Sequence, residues 1–118
     1  YDELLECIDE YNENRFLNNL DKIELVKGDA NVTIPEYIKN NEHLLVSLLY
    51  LDFDIYEPTK MALKHIMPRM SKGSIIAFDE LHAENWKGET MAMLESLNIR
   101  DYKIETFSFE PNISFIQL

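Results

Sequence analysis

Two hydrophobic periods alternate along this chain, one typical of helices and the other of strands. Residues 2–19 place Leu4, Leu5, Ile8 and Tyr11 on one face with acidic residues between them, which predicts an amphipathic helix ending in an Asn-rich segment. Further helices are predicted at 33–39, with Pro35 near the first turn, from Pro58 to about Met70, with Pro68 ending or bending the last turn, and at 89–97.

Short β-forming runs separate these helices. The run LLVSLLYL at 44–51 is apolar almost throughout, which is typical of a strand buried on both faces of a parallel sheet. Other strands are predicted at 23–27, 74–78, 102–109 and 113–118, with turns at 71–73 and 110–112. The order α-β-α-β-α-β-α-β-β predicts an α/β fold: a mostly parallel sheet with helices on both faces and a C-terminal antiparallel hairpin.

Acidic residues follow three of the predicted strands directly. They are Asp29, the segment from Asp52 to Asp54, and the pair Asp79-Glu80. Ligands of open α/β sheets bind at the carboxyl ends of the strands, so this placement predicts a single acidic site at that edge. The alternative is that some of these side chains cap helix N-termini or bind turn amides, which Asp does well.

Clustered carboxylates at such an edge can support metal-assisted chemistry. Two or three of them, with waters and substrate oxygens, would complete the octahedral shell of Mg²⁺. A hydroxyl bound to the metal loses its proton more easily, and a carboxylate or histidine within hydrogen-bond reach can accept that proton. His82 lies three residues after Asp79 in the same loop, so it is a candidate proton acceptor or substrate contact.

Charge and cysteine content narrow the classes of function. The net charge of −11, from 22 acidic and 11 basic side chains in 118 residues, argues against binding nucleic acid or an anionic membrane surface. The single cysteine, Cys7, excludes an intrachain disulfide and indicates a reducing cytoplasm. Neither a G-x-G-x-x-G nor a P-loop pattern occurs, so half of a nucleotide site is missing from this sequence.

Several short motifs occur in one order with a characteristic spacing. They are D-F-D-I-Y at 52–56, P-T at 58–59, P-R-M-S-K-G-S at 68–74, F-D-E at 78–80 and W-K-G-E at 86–89. With this set the chain resembles, over roughly residues 23–118, the macrocin O-methyltransferase family of class I methyltransferases. Within that family it is most similar to the bacterial deoxysugar-nucleotide 3-O-methyltransferases.

The resemblance implies a Rossmann-like enzyme that moves a methyl group from S-adenosylmethionine to a hydroxyl of a nucleotide-linked deoxysugar with the help of a divalent cation. By position it implies these roles: metal ligation by Asp52, Asp79 and Glu80, general-base catalysis by Asp54 with His82 as the competing candidate, and cofactor contacts from Asp29 and Ala30, which face the adenine, and from Asp52. Many relatives have Asp where Glu80 stands, which keeps the charge on a longer side chain.

The family's strand order, 3-2-1-4-5-7-6, implies that residues 1–118 are the C-terminal part of a single methyltransferase domain, because the glycine-rich loop and the ribose-binding acid belong to earlier strands. The chain also starts within a predicted helix at Tyr1, which is expected of a larger protein. The implied partner is a small sugar or sugar nucleotide, and relatives are often homo-oligomers.

Two other classes of function remain open from the residues. LDFDIYEPT is similar to the D-x-D-x-T signature of aspartate-based phosphohydrolases, although Thr59 lies too far from Asp54 to match it. A non-catalytic α/β binding module is the second alternative, and failure to bind S-adenosylmethionine or Mg²⁺ would favour it.

Overall fold

Four helices and four strands follow one another in the computed structural model, which describes residues 1–118. The helices are α1 (Asp2–Asn14), α2 (Ala30–Asn40), α3 (Tyr56–Ile66) and α4 (Gly88–Ser96), and the strands are β1 (Val46–Leu51), β2 (Met70–Phe78), β3 (Glu105–Phe107) and β4 (Glu110–Gln117). Single turns of 3₁₀ helix lie at Met67–Arg69 and Ile99–Asp101. None of the helices is long and apolar enough to cross a membrane.

The strands form one mixed sheet in the order β1-β2-β4-β3. Strands β1 and β2 are parallel, with Leu51 opposite Phe78, and β4 pairs antiparallel with both β2 and β3. This order corresponds to the last four strands, 4-5-7-6, of the strand order expected from the sequence. The predicted α/β fold with a C-terminal antiparallel hairpin is therefore confirmed.

Helices α3 and α4 cover one face of this sheet. Alternate residues of a strand point to opposite faces, so Leu49 and Leu51 of β1 are buried while Leu48 and Tyr50 are exposed. The buried cluster between helices and sheet consists of Leu49, Leu51, Ala62, Leu63, Ile76, Phe78, Ala92, Met93, Leu97 and Ile116. This core fixes the positions of the loops that follow β1 and β2.

The predicted strand at 23–27 is wrong, because these residues form no strand in the structure. A strand exists only through hydrogen bonds to a neighbouring strand, and the sheet of this chain ends at β1. Helix α2 also begins earlier than predicted, at Ala30 instead of Thr33. Pro35 therefore lies inside the helix, where its missing N–H removes one backbone hydrogen bond.

Other boundaries also differ from the sequence prediction. Helix α1 ends at Asn14 instead of residue 19, where the Asn14 side chain hydrogen-bonds the carbonyl of Glu10 at 2.8 Å. Side chains of this kind compete with helical backbone bonds, which explains the early end. The predicted turn at 71–73 is instead an irregularity within β2, with Gly73 at a φ of 93°.

The hairpin turn lies two residues earlier than predicted. Phe107 pairs with Glu110, so Ser108 and Phe109 form the turn, instead of residues 110–112. The register then shifts, because Thr106 pairs with Ser114 and residues 111–113 bulge out of the ladder. Pro111, which has no N–H to donate, is tolerated at such a position.

Candidate active site

The loops after β1 and β2 lie side by side at the carboxyl edge of the sheet. The N–H of Asp79 donates to the carbonyl of Leu51 at 2.9 Å, which extends the parallel pairing to the last residue before Asp52. Asp52 and Asp79 therefore leave the sheet at neighbouring points. The arrangement follows from two adjacent parallel strands that both end in an acidic residue.

Four carboxylates share the electrostatic field of this edge. Burial raises the pKa of Glu80 most, and the negative charges of Asp54, Asp79 and Asp52 raise it further. One Glu80 oxygen, Oε2, is buried without any hydrogen-bond partner. A buried oxygen without a hydrogen-bond partner lowers the stability of the folded chain, and such groups concentrate at functional sites.

We expect the Glu80→Gln variant to be more stable than the wild type at pH 7. The folded-state pKa of Glu80 is raised, so the folded protein binds this proton more tightly than the unfolded chain does, and the stability that this difference contributes is lost as the pH rises from the ordinary Glu value through the folded-state pKa. Glutamine is neutral at every pH and removes this loss. The difference in melting temperature, measured on the full-length protein, should shrink as the pH falls below 4.5, the ordinary value for Glu.

An equal stabilisation of the Glu80→Gln variant at pH 4 and pH 7 would contradict this explanation. Glu84→Gln is the matched control, because Glu84 is exposed, lies in the same loop and makes no side-chain hydrogen bond. We expect no pH-dependent gain from that substitution.

The donor set of the acidic edge suits a hard cation in chemistry but not in arrangement. Carboxylates that repel one another and a buried oxygen without a partner are what a divalent cation would neutralise. No group of three or more His, Cys, Asp or Glu side chains, however, is close enough together to hold a metal ion. Ligation by Asp52, Asp79 and Glu80 therefore stays a prediction.

A tyrosine, which the sequence analysis did not single out, contacts the acidic edge. The hydroxyl of Tyr50 donates to Oδ1 of Asp79, so that one oxygen of this predicted metal ligand already has a partner. This hydrogen bond is the main reason why the pKa of Tyr50 is raised to about 12. The Tyr50 hydroxyl is therefore a donor to Asp79 throughout the physiological pH range.

Both candidate general bases have left-handed backbone conformations. The φ angles are 61° at Asp54 and 65° at His82, a region that non-glycine residues rarely adopt. Residues held in this way need support from their surroundings and cluster at functional sites. The support for His82 is visible, because its N–H donates to Oγ1 of Thr90 at 2.8 Å.

Glu89 is a buried acidic residue that the sequence analysis assigned no role. It lies in the first turn of α4 and is 0% exposed. Its carboxylate accepts from the N–H of Phe53 at 3.2 Å and from the N–H of Glu80 at 3.3 Å. Burial raises the pKa of Glu89, and the backbone donors lower it. The W-K-G-E motif was the available signal, although it does not reveal that its last residue is buried.

Asp29 serves the start of a helix in this structure. Its side chain accepts from the N–H of Asn31 at 2.9 Å and caps α2, of which Ala30 is the first residue. This is the capping alternative recognised from the sequence. Contact between the adenine of S-adenosylmethionine and these two residues stays a prediction.

A cavity of about 420 Å³ opens beside the acidic edge. It is lined by His82, Ala83, Glu84, Lys87, Thr90 and Met91. The volume falls in the range typical of small-molecule sites. His82 thus borders a space large enough for a small molecule.

A sheet of this α/β type with an acidic edge is the architecture that the resemblance to O-methyltransferases predicts. No family model and no curated protein matches the chain. Two solved structures of CalS11 do match. The apo structure of this TDP-rhamnose 3'-O-methyltransferase, an enzyme in Calicheamicin biosynthesis, is 34% identical over 98% of the chain, with a TM-score of 0.90. A second structure of this Calicheamicin methyltransferase gives 34% identity, 98% coverage and a TM-score of 0.91.

The predicted resemblance is therefore confirmed, and the chain is a structural relative of these sugar O-methyltransferases. It spans about half the length of the solved structures it matches, 51% of one and 45% of the other. The O-methyltransferase NovP matches over 60% of the chain with 22% identity and a TM-score of 0.49, a likeness too slight to bear on function.

Proposed function

We propose that the protein moves a methyl group from S-adenosylmethionine to a hydroxyl of a nucleotide-linked deoxysugar. The observation that carries this proposal is the similarity to CalS11, a TDP-rhamnose 3'-O-methyltransferase, along 98% of the chain. The acidic edge and the cavity beside His82 supply groups that such a transfer needs: a proton acceptor and room for a sugar. The residues of this chain would form the C-terminal part of one methyltransferase domain.

Within this proposal the residues of the chain divide the work. Asp54 takes the proton from the acceptor hydroxyl as the methyl group arrives, with His82 as the competing base. Asp29, Ala30 and Asp52 contact the cofactor. A homo-oligomer in a reducing cytoplasm is the expected setting, and the acceptor is a small molecule.

A divalent cation such as Mg²⁺ is a further part of the proposal. Asp52, Asp79 and Glu80 are the residues that would hold it, and its chemistry would be to lower the pKa of the acceptor hydroxyl. The support is the repulsion among these carboxylates and the buried Glu80 oxygen without a partner.

Calorimetry of the full-length protein with S-adenosylmethionine, with and without Mg²⁺, tests the proposal together with a methyl-transfer assay on dTDP-deoxysugars. We expect Mg²⁺-dependent transfer that Asp52→Asn and Asp79→Asn each lower by at least about 10- to 100-fold, the loss that is typical even for residues that only support a metal ligand. Asp21→Asn is the control, because Asp21 is exposed and its side chain makes no hydrogen bond or ion pair.

The possible outcomes separate the parts of the proposal. Transfer that does not depend on metal would keep the methyltransferase and remove the metal role of the acidic edge. Absence of S-adenosylmethionine binding by the folded protein would contradict the enzyme altogether and favour a non-catalytic module.

A further inference from the structure

The first turn of α4 contacts both loops that carry the acidic residues. Its three residues, Gly88, Glu89 and Thr90, each contact a different part of those loops, and none of them belongs to the set assigned from the sequence. The contacts reach back to the loop after β1 and across to the loop after β2. One helical turn thus touches the surroundings of both candidate bases.

Gly88 lets α4 approach the loop after β1 more closely than any other residue would allow. A Cβ atom at Gly88 would lie 2.5 Å from the carbonyl oxygen of Asp54 and 2.5 Å from backbone atoms of Ile55 and Tyr56. These neighbours are backbone atoms, which cannot swing away as a flexible side chain would. The glycine is therefore required by the close approach of the helix to the segment that contains Asp54.

Glu89 uses this approach to link the two loops. One carboxylate oxygen, Oε1, accepts from Phe53, the residue before Asp54, and the other, Oε2, accepts from Glu80, the residue after Asp79. The donors lie 36 and 9 residues away from Glu89 in the sequence. The two N–H groups bond to different oxygens, and a carboxylate supplies two such acceptors where an amide side chain supplies one.

The burial of Glu89 is not explained by packing alone. Removing a carboxylate from water is unfavourable, and an apolar residue of similar size fills a core position without that penalty. The fully buried side chain instead accepts from two backbone donors in the loops where Asp52 and Asp79 leave the sheet. Burial of the Glu89 carboxylate thus lowers stability, while its two hydrogen bonds fix the positions of the two loops.

We propose that Glu89 is the positioning residue of this site, holding the loop of Asp54 and the loop of Asp79 and Glu80 at a fixed separation. The inference rests on the proposed function, because it assigns Glu89 to the geometry of methyl transfer. Glu89 is fully buried, and it acts through the backbone of the two loops.

The Glu89→Gln variant of the full-length protein tests the link directly. Glutamine keeps the size of the side chain, but it offers one acceptor oxygen, and its NH₂ group faces the second N–H donor. By hydrogen exchange we expect the amide of Phe53 or Glu80 to lose protection by about tenfold, the effect of losing one hydrogen bond to a charged group. Glu57→Gln is the matched control, because Glu57 is exposed and occupies the same second position of its own helix, α3.

Activity then separates positioning from mere stability. We expect kcat for methyl transfer to fall by about 100-fold, as misplacement of a reacting group by about 1 Å can do. The affinity for S-adenosylmethionine and the folded fraction at the assay temperature should not change. A loss of kcat that appears only together with lost cofactor affinity and lost folding would overturn the proposal, and so would unchanged protection of both amides.

Two further results keep the test decisive. If Glu89→Gln does not fold, Glu89→Met removes both acceptors and the buried charge together, and the same loss of protection and kcat is expected. If the wild type transfers no methyl group, the proposed function fails, while hydrogen exchange still shows whether Glu89 holds the two loops.

Discussion

Replacing Asp54 with asparagine should lower kcat for methyl transfer by about 10²–10⁴-fold, the range for loss of a general base. Asparagine keeps the shape of the side chain but cannot accept a proton from the acceptor hydroxyl. It also tolerates the left-handed backbone at this position, where φ is 61°, better than alanine does. The substitution therefore removes the proton acceptor without forcing the loop to change.

His82→Asn is the matched variant, because His82 has a similar φ of 65° and is the competing base. With Asp54 as the base, the His82 variant should lose much less kcat than the Asp54 variant. The reverse order would move the role to His82 and leave the methyltransferase proposal intact. The affinity for S-adenosylmethionine, measured by calorimetry, should be unchanged in both variants.

The two outcomes have different structural bases. Asp54 is partly buried, and its negative charge helps to raise the pKa of Glu80, so it belongs to the acidic edge. His82 is exposed and lines the neighbouring cavity. A base inside the acidic edge acts next to the carboxylates, whereas a base at the cavity acts from the side of the acceptor.

The fold could be predicted from the sequence wherever the signal is local. The apolar run that became β1, the helix α3 that Pro68 terminates and the β2 strand that ends at Phe78 depend on residues close together in the chain. The strand at 23–27 and the turn of the hairpin depend on which strands pair, and that is decided by distant residues. The Glu110-Pro111-Asn112 segment has the composition of a turn, yet pairing between Phe107 and Glu110 places the turn earlier.

The residues of the candidate site could also be predicted only where the signal is local or follows from the pairing of neighbouring strands. Asp52 and Asp79 could be placed together because parallel strands bring their carboxyl ends to one edge of a sheet. Glu89 could not, because its partner Phe53 is 36 residues away and nothing in the sequence shows that its carboxylate is buried. Asp29 is the opposite case. It also follows a predicted strand, but in the structure its side chain caps helix α2. The residue type suggests which chemistry is available, and the long-range contacts decide which residue is used.

Phe78 carries the largest expected effect on stability. It is fully buried in the central strand β2, between Leu51 of β1 and Ser114 of β4, and the acidic edge begins at the next residue, Asp79. Truncation to alanine removes the ring and leaves a cavity that a core of this kind fills only in part. We expect Phe78→Ala to lower the free energy of unfolding by about 3–5 kcal/mol, measured by urea denaturation of the full-length protein.

Phe109→Ala is the control for this prediction. Phe109 is 83% exposed at the hairpin turn, and its ring stacks on that of Phe107, at 5.2 Å between centroids. Its loss should lower the free energy of unfolding by at most about 1.5 kcal/mol. Comparable losses from the two substitutions would mean that the hairpin packs against further parts of the folded protein. A loss seen only for Phe78→Ala would instead mean that the acidic edge is stabilised by packing between the sheet and the helices that cover it, next to Asp79.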